Sequence, residues 1–173
     1  NPPHSVPTRL PRLISSLSRA LSLFPPFAGR LAAIQYDDGT VSFSVHSNSS
    51  SRGALLVHAV AHGLSSSVVL CTGSAAPPGK VLDSLFSMNG AYGCQGVSNP
   101  LLVVQFTQLI DGVFMGITFS HAVADGSSFW HFLNTWSQIS RNSVPDLGNP
   151  TPVIGHWFLD GIIPPIPFPF SFQ

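Results

Sequence analysis

The chain has 173 residues, with seven basic and seven acidic side chains and no net charge at pH 7. Hydrophobic residues make up 44% and charged residues 8%, far fewer charges than the roughly 25–35% of a comfortable soluble surface, so some apolar surface is expected to lie under another body. A neutral chain without a basic cluster lacks the phosphate-binding face that nucleic acid requires, and no apolar run nears the roughly 18 residues of a membrane span.

The length predicts one domain with a sizeable core. Two cysteines, Cys71 and Cys94, define no disulfide framework and fit a reducing, cytoplasmic setting. The first residue is Asn1, and no charged segment followed by an apolar stretch marks a signal peptide. A processed or truncated product is therefore expected.

Residues 11–23, PRLISSLSRALSL, place Leu13, Ile14, Leu17, Ala20, Leu21 and then Phe24 at helical spacing. This predicts an amphipathic helix with Pro11 in its first turn, Thr8 as a cap and Pro25-Pro26 as its stop. The runs 30–36 and 40–46 are β-like and joined by Asp37-Asp38-Gly39, which predicts a hairpin. A polar loop follows over 47–52, and 53–61 is a strand candidate. The apolar run 64–71 fits either strand or helix and is broken by AAPPG at 75–79. Residues 81–86 read as a short helical turn and 88–100 as loop.

The clearest unit comes next. LLVVQFTQL (101–109) and VFMGITF (113–119) flank Ile110-Asp111-Gly112, which predicts an antiparallel hairpin. SHAVADG (120–126) leaves its second strand. SSFWHFLNTWSQIS (127–140) then predicts a helix capped by Ser127 or Asp125, with Phe129, Trp130, Phe132 and Trp136 in the core and His131 at the surface or hydrogen-bonded. Residues 1–142 read as one partial domain. Residues 143–173, ending IIPPIPFPFSFQ, read as a Pro-rich extended linker or tail whose Phe and Ile side chains need cover.

His-Ala-Val-Ala occurs twice, at 58–61 and at 121–124. The first copy lies inside the 53–61 strand. If that strand continues, His58 and His62 share a face about 13 Å apart, too far for one metal ion, and no third ligand is in reach; no metal is expected. The second copy follows a strand, so His121 sits where a side chain reaches a cleft. A neutral imidazole there accepts a proton from a hydroxyl or amine at neutral pH. Asp125, four residues on, either orients that imidazole or holds the loop by pairing elsewhere. Gly126 lets the backbone turn without a Cβ clash. Arg30 reads as a loop anchor, and the two cysteines as inert thiols.

HAVADG resembles the HxxxD(G) signature of the plant BAHD acyltransferases. The flanking residues 100–119 and 127–141, the early SSLSRALSLFPPFAGRL (15–31) and the tail HWFLDGIIPPIPFPF (156–170) are similar to segments of that family. The resemblance implies an α/β fold, the chloramphenicol-acetyltransferase-like mixed sheet flanked by helices, present as one of two domains. It implies transfer of an acyl group from an acyl-CoA thioester to a small-molecule alcohol or amine. His121 would then be the general base, with Asp125 and Gly126 supporting its loop. Acyl-CoA would be a co-substrate, with no permanently bound cofactor, and no coenzyme A-binding residue is assigned. The family's second signature, DFGWG, is missing from these residues, so a C-terminal domain or another covering partner is expected, and the isolated chain is expected to be inactive. The alternative is a truncated, non-catalytic remnant that binds a ligand or partner. A different HxxxD branch would carry His-His where this chain has Ser120-His121.

Overall fold

The computed structural model describes residues 6–47, 53–70 and 79–142. Helix α1 spans Val6–Leu23 and starts earlier than its apolar spacing predicts. Pro7, and not Pro11, takes the first turn, where a missing N–H costs nothing. Pro11 lies inside the helix, and Thr8 is a helical residue instead of a cap. A 3-10 turn over Pro25–Ala28 ends the helix where the paired prolines predict.

Strands β1 (Arg30–Gln35) and β2 (Val41–His46) form the expected antiparallel hairpin. Gly39 has a φ of 82°, and Asp38 Oδ1 accepts from the backbone N–H and hydroxyl of Thr40 at 2.9 and 2.6 Å, the side-chain turn to which aspartate is suited.

Strands β3 (Leu55–Val60), β4 (Leu102–Gln108) and β5 (Val113–Phe119) form a mixed sheet in the order β3-β4-β5. β4 and β5 pair antiparallel, as their sequence predicts, and β3 pairs parallel to β4. A parallel pair needs a crossover. Residues 61–101 supply it and contain α2 (Ser66–Val69), α3 (Gly79–Ser84) and a 3-10 turn over Gly93–Val97. The ambiguous run at 64–71 becomes a helical turn because Asp111, between β4 and β5, captures its start: Asp111 Oδ1 accepts from Ser66 N at 2.8 Å and Oδ2 from Ser66 Oγ at 2.7 Å.

β4 is buried on both faces. On one, Leu102, Val104 and Phe106 pack with Leu17, Ala20, Phe24 and Phe27 and with Phe132, Trp136 and Ile139 of helix α4, Gly126–Ser140. On the other, the buried Gln105 amide donates to Ser84 O at 2.8 Å and Thr107 Oγ1 at 2.9 Å, and its carbonyl accepts from Ser87 Oγ. Gly116 stands opposite Gln105 in register. A Cβ at Gly116 would come within 2.1 Å of Leu85 O, so the end of α3 lies against the sheet only because that residue has no side chain.

Helices α1 and α4 meet through a polar contact inside an apolar face. Trp136 Nε1 donates to Ser16 Oγ at 3.0 Å, Ser140 Oγ donates to it at 2.9 Å, and the Ser16 hydroxyl in turn donates to Leu13 O at 3.0 Å. Phe132 and Trp136 are in the core as expected, and Phe129 is half-buried. Trp130 departs from expectation at 63% exposure: two residues before Phe132, it projects about 200° around the helix. His131 is half-buried, edge-on to Phe24 at 5.2 Å.

Asp125 caps α4, its Oδ1 accepting from Ser128 N at 2.8 Å. Hydrogen bonds from Ser128, with a smaller attraction from His121, hold this carboxyl below the ordinary carboxylate range. The tail 143–173, Cys71 and the side chain of Cys94 lie outside the described residues. Among the described residues no helix is long and apolar enough to cross a membrane.

Replacing Ser16 by Ala orphans the buried Trp136 N–H and is expected to cost about 1–3 kcal/mol in urea denaturation, whereas Ser22→Ala on the exposed side of α1 changes stability by less than about 0.5 kcal/mol. Replacing Asp125 by Ala removes a helix cap and lowers the thermal midpoint by about 2–4 °C at pH 7, whereas Asp125→Asn, which keeps a capping oxygen but loses the charge, should fall between the two. The Asp125 carboxyl titrates lower in the folded chain than in the unfolded one. Its ionised form therefore stabilises the fold above about pH 4, and that contribution fades as pH falls through the lowered value. The gap between the thermal melts of wild type and Asp125→Ala should narrow in that acid range.

Candidate active site at the end of β5

The site begins with a backbone bond. As β5 ends at Phe119, Ser120 N donates to Leu101 O at 2.9 Å, so the loop starts in register with the entry to β4. Ser120 O then accepts from Val123 N at 3.1 Å, and Ser120 Oγ from Ala122 N at 3.3 Å. Ser120, which stands where another branch would carry its first histidine, is thus the residue that shapes the turn. Asp125 closes the loop as the cap of α4. Residues 120–125 are fastened at both ends, with His121 at the crest.

The His121 side chain is exposed. Its ring lies 5.0 Å from that of Phe119, at 50°. It borders a cleft of about 210 Å³ whose walls include Met88, Tyr92, Asn99, Thr118 and Phe119. Two close approaches build the far wall. A Cβ on Gly96 would come within 2.6 Å of Leu101 Cδ2 and 3.0 Å of Leu31 Cγ, so the 3-10 turn carrying Tyr92 and Gly93 seats tightly on the start of β4. Met88 holds a φ of 65°, the left-handed region that side chains other than Gly, Asn and Asp seldom enter. The cleft wall at 88–100, read in the sequence as plain loop, contributes most of the lining. A Gly- and Asn-rich stretch was its only sequence signal.

The Asp125 carboxylate accepts from Ser128 N at the head of α4, and His121 contributes the smallest of its electrostatic effects. Gly126 is the first residue of α4; it has no positive φ, and a Cβ there would meet nothing within 4 Å. The sharp turn expected of it is made instead by Ser120–Val123, so glycine is not sterically required at 126.

The other singled-out residues lie elsewhere. Arg30 Nη1 donates to Gly29 O at 2.8 Å and Gly53 O at 2.7 Å, anchoring the start of β1 to the entry of β3. His58 is exposed on β3, and His62 lies in the turn after it. The strand stops at Val60, so the two histidines do not share a strand face as the sequence spacing implied. Among the described residues no three His, Cys, Asp or Glu side chains gather where a metal ion would fit.

Comparison with known proteins gives this site a setting. Residues 3–153 match the family model described as Transferase family. The chain is 42% identical over 164 residues to an uncharacterized acetyltransferase of Arabidopsis thaliana, covering 92% of this chain and 35% of that protein. It is 49% identical over 59 residues to the Arabidopsis thaliana protein BAHD acyltransferase DCR, covering 34% of this chain and 12% of that one. Among solved structures it resembles F. graminearum TRI101 complexed with coenzyme A and T-2 mycotoxin, with a TM-score of 0.53 at 16% identity over 80% of this chain and 32% of that one. That likeness gives the fold as the chloramphenicol-acetyltransferase-like mixed α/β type. The chain spans about a third of the length of the curated relatives it matches. A family model that covers every described residue, and relatives this similar, make it a member of the Transferase family of BAHD acyltransferases.

Proposed function

We propose that this chain carries the general base of an enzyme that moves an acyl group from an acyl-CoA thioester to an alcohol or amine. One observation carries the reading: His121 stands exposed at the exit of β5, on a loop fastened at both ends, beside a cleft large enough for part of a small acceptor. Family membership and a coenzyme A-bound structural neighbour support the same chemistry. A neutral His121 takes the proton of the acceptor O–H or N–H as the oxygen or nitrogen attacks the thioester carbonyl. A tetrahedral oxyanion forms and collapses, the C–S bond breaks, and the coenzyme A thiolate leaves and recovers a proton from the imidazolium. The acceptor attacks directly, so no nucleophilic Ser or Cys and no acyl-enzyme enter the reaction. Asp125 acts by holding the loop and α4 together.

In this reading residues 1–142 are part of the acceptor-side domain and 143–173 lead out of it. The 173 residues alone do not turn over, because the cleft beside His121 is open to water and the longer relatives contribute further chain. The reading also sets the enzyme in the cytoplasm, where acyl-CoA is available and free thiols persist.

Thiol release from acetyl-CoA or an aromatic acyl-CoA, with an aromatic alcohol as acceptor, tests both halves of the proposal. Residues 1–173 alone should release none. The same residues continued by the C-terminal part of the 42%-identical Arabidopsis acetyltransferase should release thiol, and His121→Ala should lower that rate about 10²–10⁴-fold. Turnover by the isolated chain would overturn its inactivity. An unchanged rate in His121→Ala would overturn the general-base role.

A further inference from the structure

A base on a solvent-exposed loop needs more than a fastened backbone. The imidazole turns about two side-chain bonds, and a proton transfer requires one narrow orientation of its lone pair. Among the described residues no side chain hydrogen-bonds to either ring nitrogen of His121; its ring lies against Phe119, at a centroid distance of 5.0 Å. Phe119 is itself held from two directions. Phe129, from the first turn of α4, stacks on it at 4.2 Å with the planes only 12° apart. Phe27 meets it edge-on at 6.4 Å and 78°. Phe27 is 3% exposed and packs on Phe132 at 4.8 Å. A line of rings thus runs from the centre of the core to the imidazole, and its last member before His121 is the last residue of β5.

We infer that Phe119 is a positioning residue for His121, with Phe129 as its backing. The half-buried Phe119 ring gives the imidazole a surface fixed to the core, so the orientation of the base is set by the sheet and α4 together and not by the loop alone. The kinetic side of this inference rests on the general-base reading of His121; the orientational side rests on the ring geometry.

Proton NMR of the imidazoles in the 173-residue chain tests the orientation. The His121 signals should be displaced by the Phe119 ring current from those of the exposed His58 and His62. Phe119→Leu should bring them back toward those two, Phe119→Tyr should leave them displaced, and Phe129→Leu should move them part of the way. Unmoved His121 signals in Phe119→Leu overturn the inference. If Phe119→Leu unfolds, as loss of the Trp136 indole signal would reveal, Phe129→Leu decides by the same criterion. In the completed enzyme described above, Phe119→Leu should lower kcat about 10–100-fold with KM changed less than about two-fold, and Phe119→Tyr should restore it. A raised KM with unchanged kcat would make Phe119 a substrate contact and overturn positioning. A rate indifferent to His121→Ala would sink the general-base reading while leaving the NMR result to judge the orientation.

Discussion

Strand β4 is the reference to which the rest of the described chain is tied. It takes a parallel partner on one edge and an antiparallel one on the other, so its backbone groups are committed along both sides. Its apolar face receives α1 and α4. Its other face carries Gln105, a buried amide whose donors and acceptor are all engaged, and that network pins the end of α3. Because Leu101 O, at the entry to β4, also binds Ser120 N, the crest of the His121 loop inherits the position of this strand. A buried polar network of this kind is worth keeping only when complete, and among the described residues no buried side-chain polar atom is without a partner.

The two His-Ala-Val-Ala copies show how little a tetrapeptide decides by itself. At 58–61 the string lies in β3, and the backbone pairing with β4 continues as far as Ala61, whose N–H donates to Gln108 O at 2.8 Å. His58 is a strand side chain in solvent. At 121–124 the same four residues follow the end of β5 and form a turn. The difference lies in the residues around them: Ser120 before, with its two acceptors for the turn, and Asp125 after, with its bond to the head of α4.

This also explains which parts of the structure were legible in the sequence. The β4–β5 hairpin, the strand–loop–helix context of His121 and the capping role of Asp125 depend on neighbours within a few residues, and periodicity and turn chemistry report them. What the sequence did not disclose depends on distant partners. Ser16 reads as a misplaced polar residue until Trp136, 120 positions away, brings its indole N–H. The run at 64–71 is undecided until Asp111 supplies a cap from 45 positions away. Trp130 sits within an apolar helical stretch whose spacing points to the core, but its own phase, two residues before Phe132, turns it to solvent. The cleft wall at 88–100 has no periodic pattern to read; its shape comes from the close approach that Gly96 permits and from the unusual backbone at Met88.

That unusual backbone limits how the cleft can diversify. A β-branched residue at position 88 would crowd its own main chain at a φ of 65°, so valine, isoleucine and threonine are strongly disfavoured, while glycine fits without steric cost and asparagine at little. A smaller side chain at 88 would widen the cleft on that side, since Met88 lines it. Any bulk that position 88 adds to the cleft must lie beyond Cβ, on a side chain that can be pushed aside.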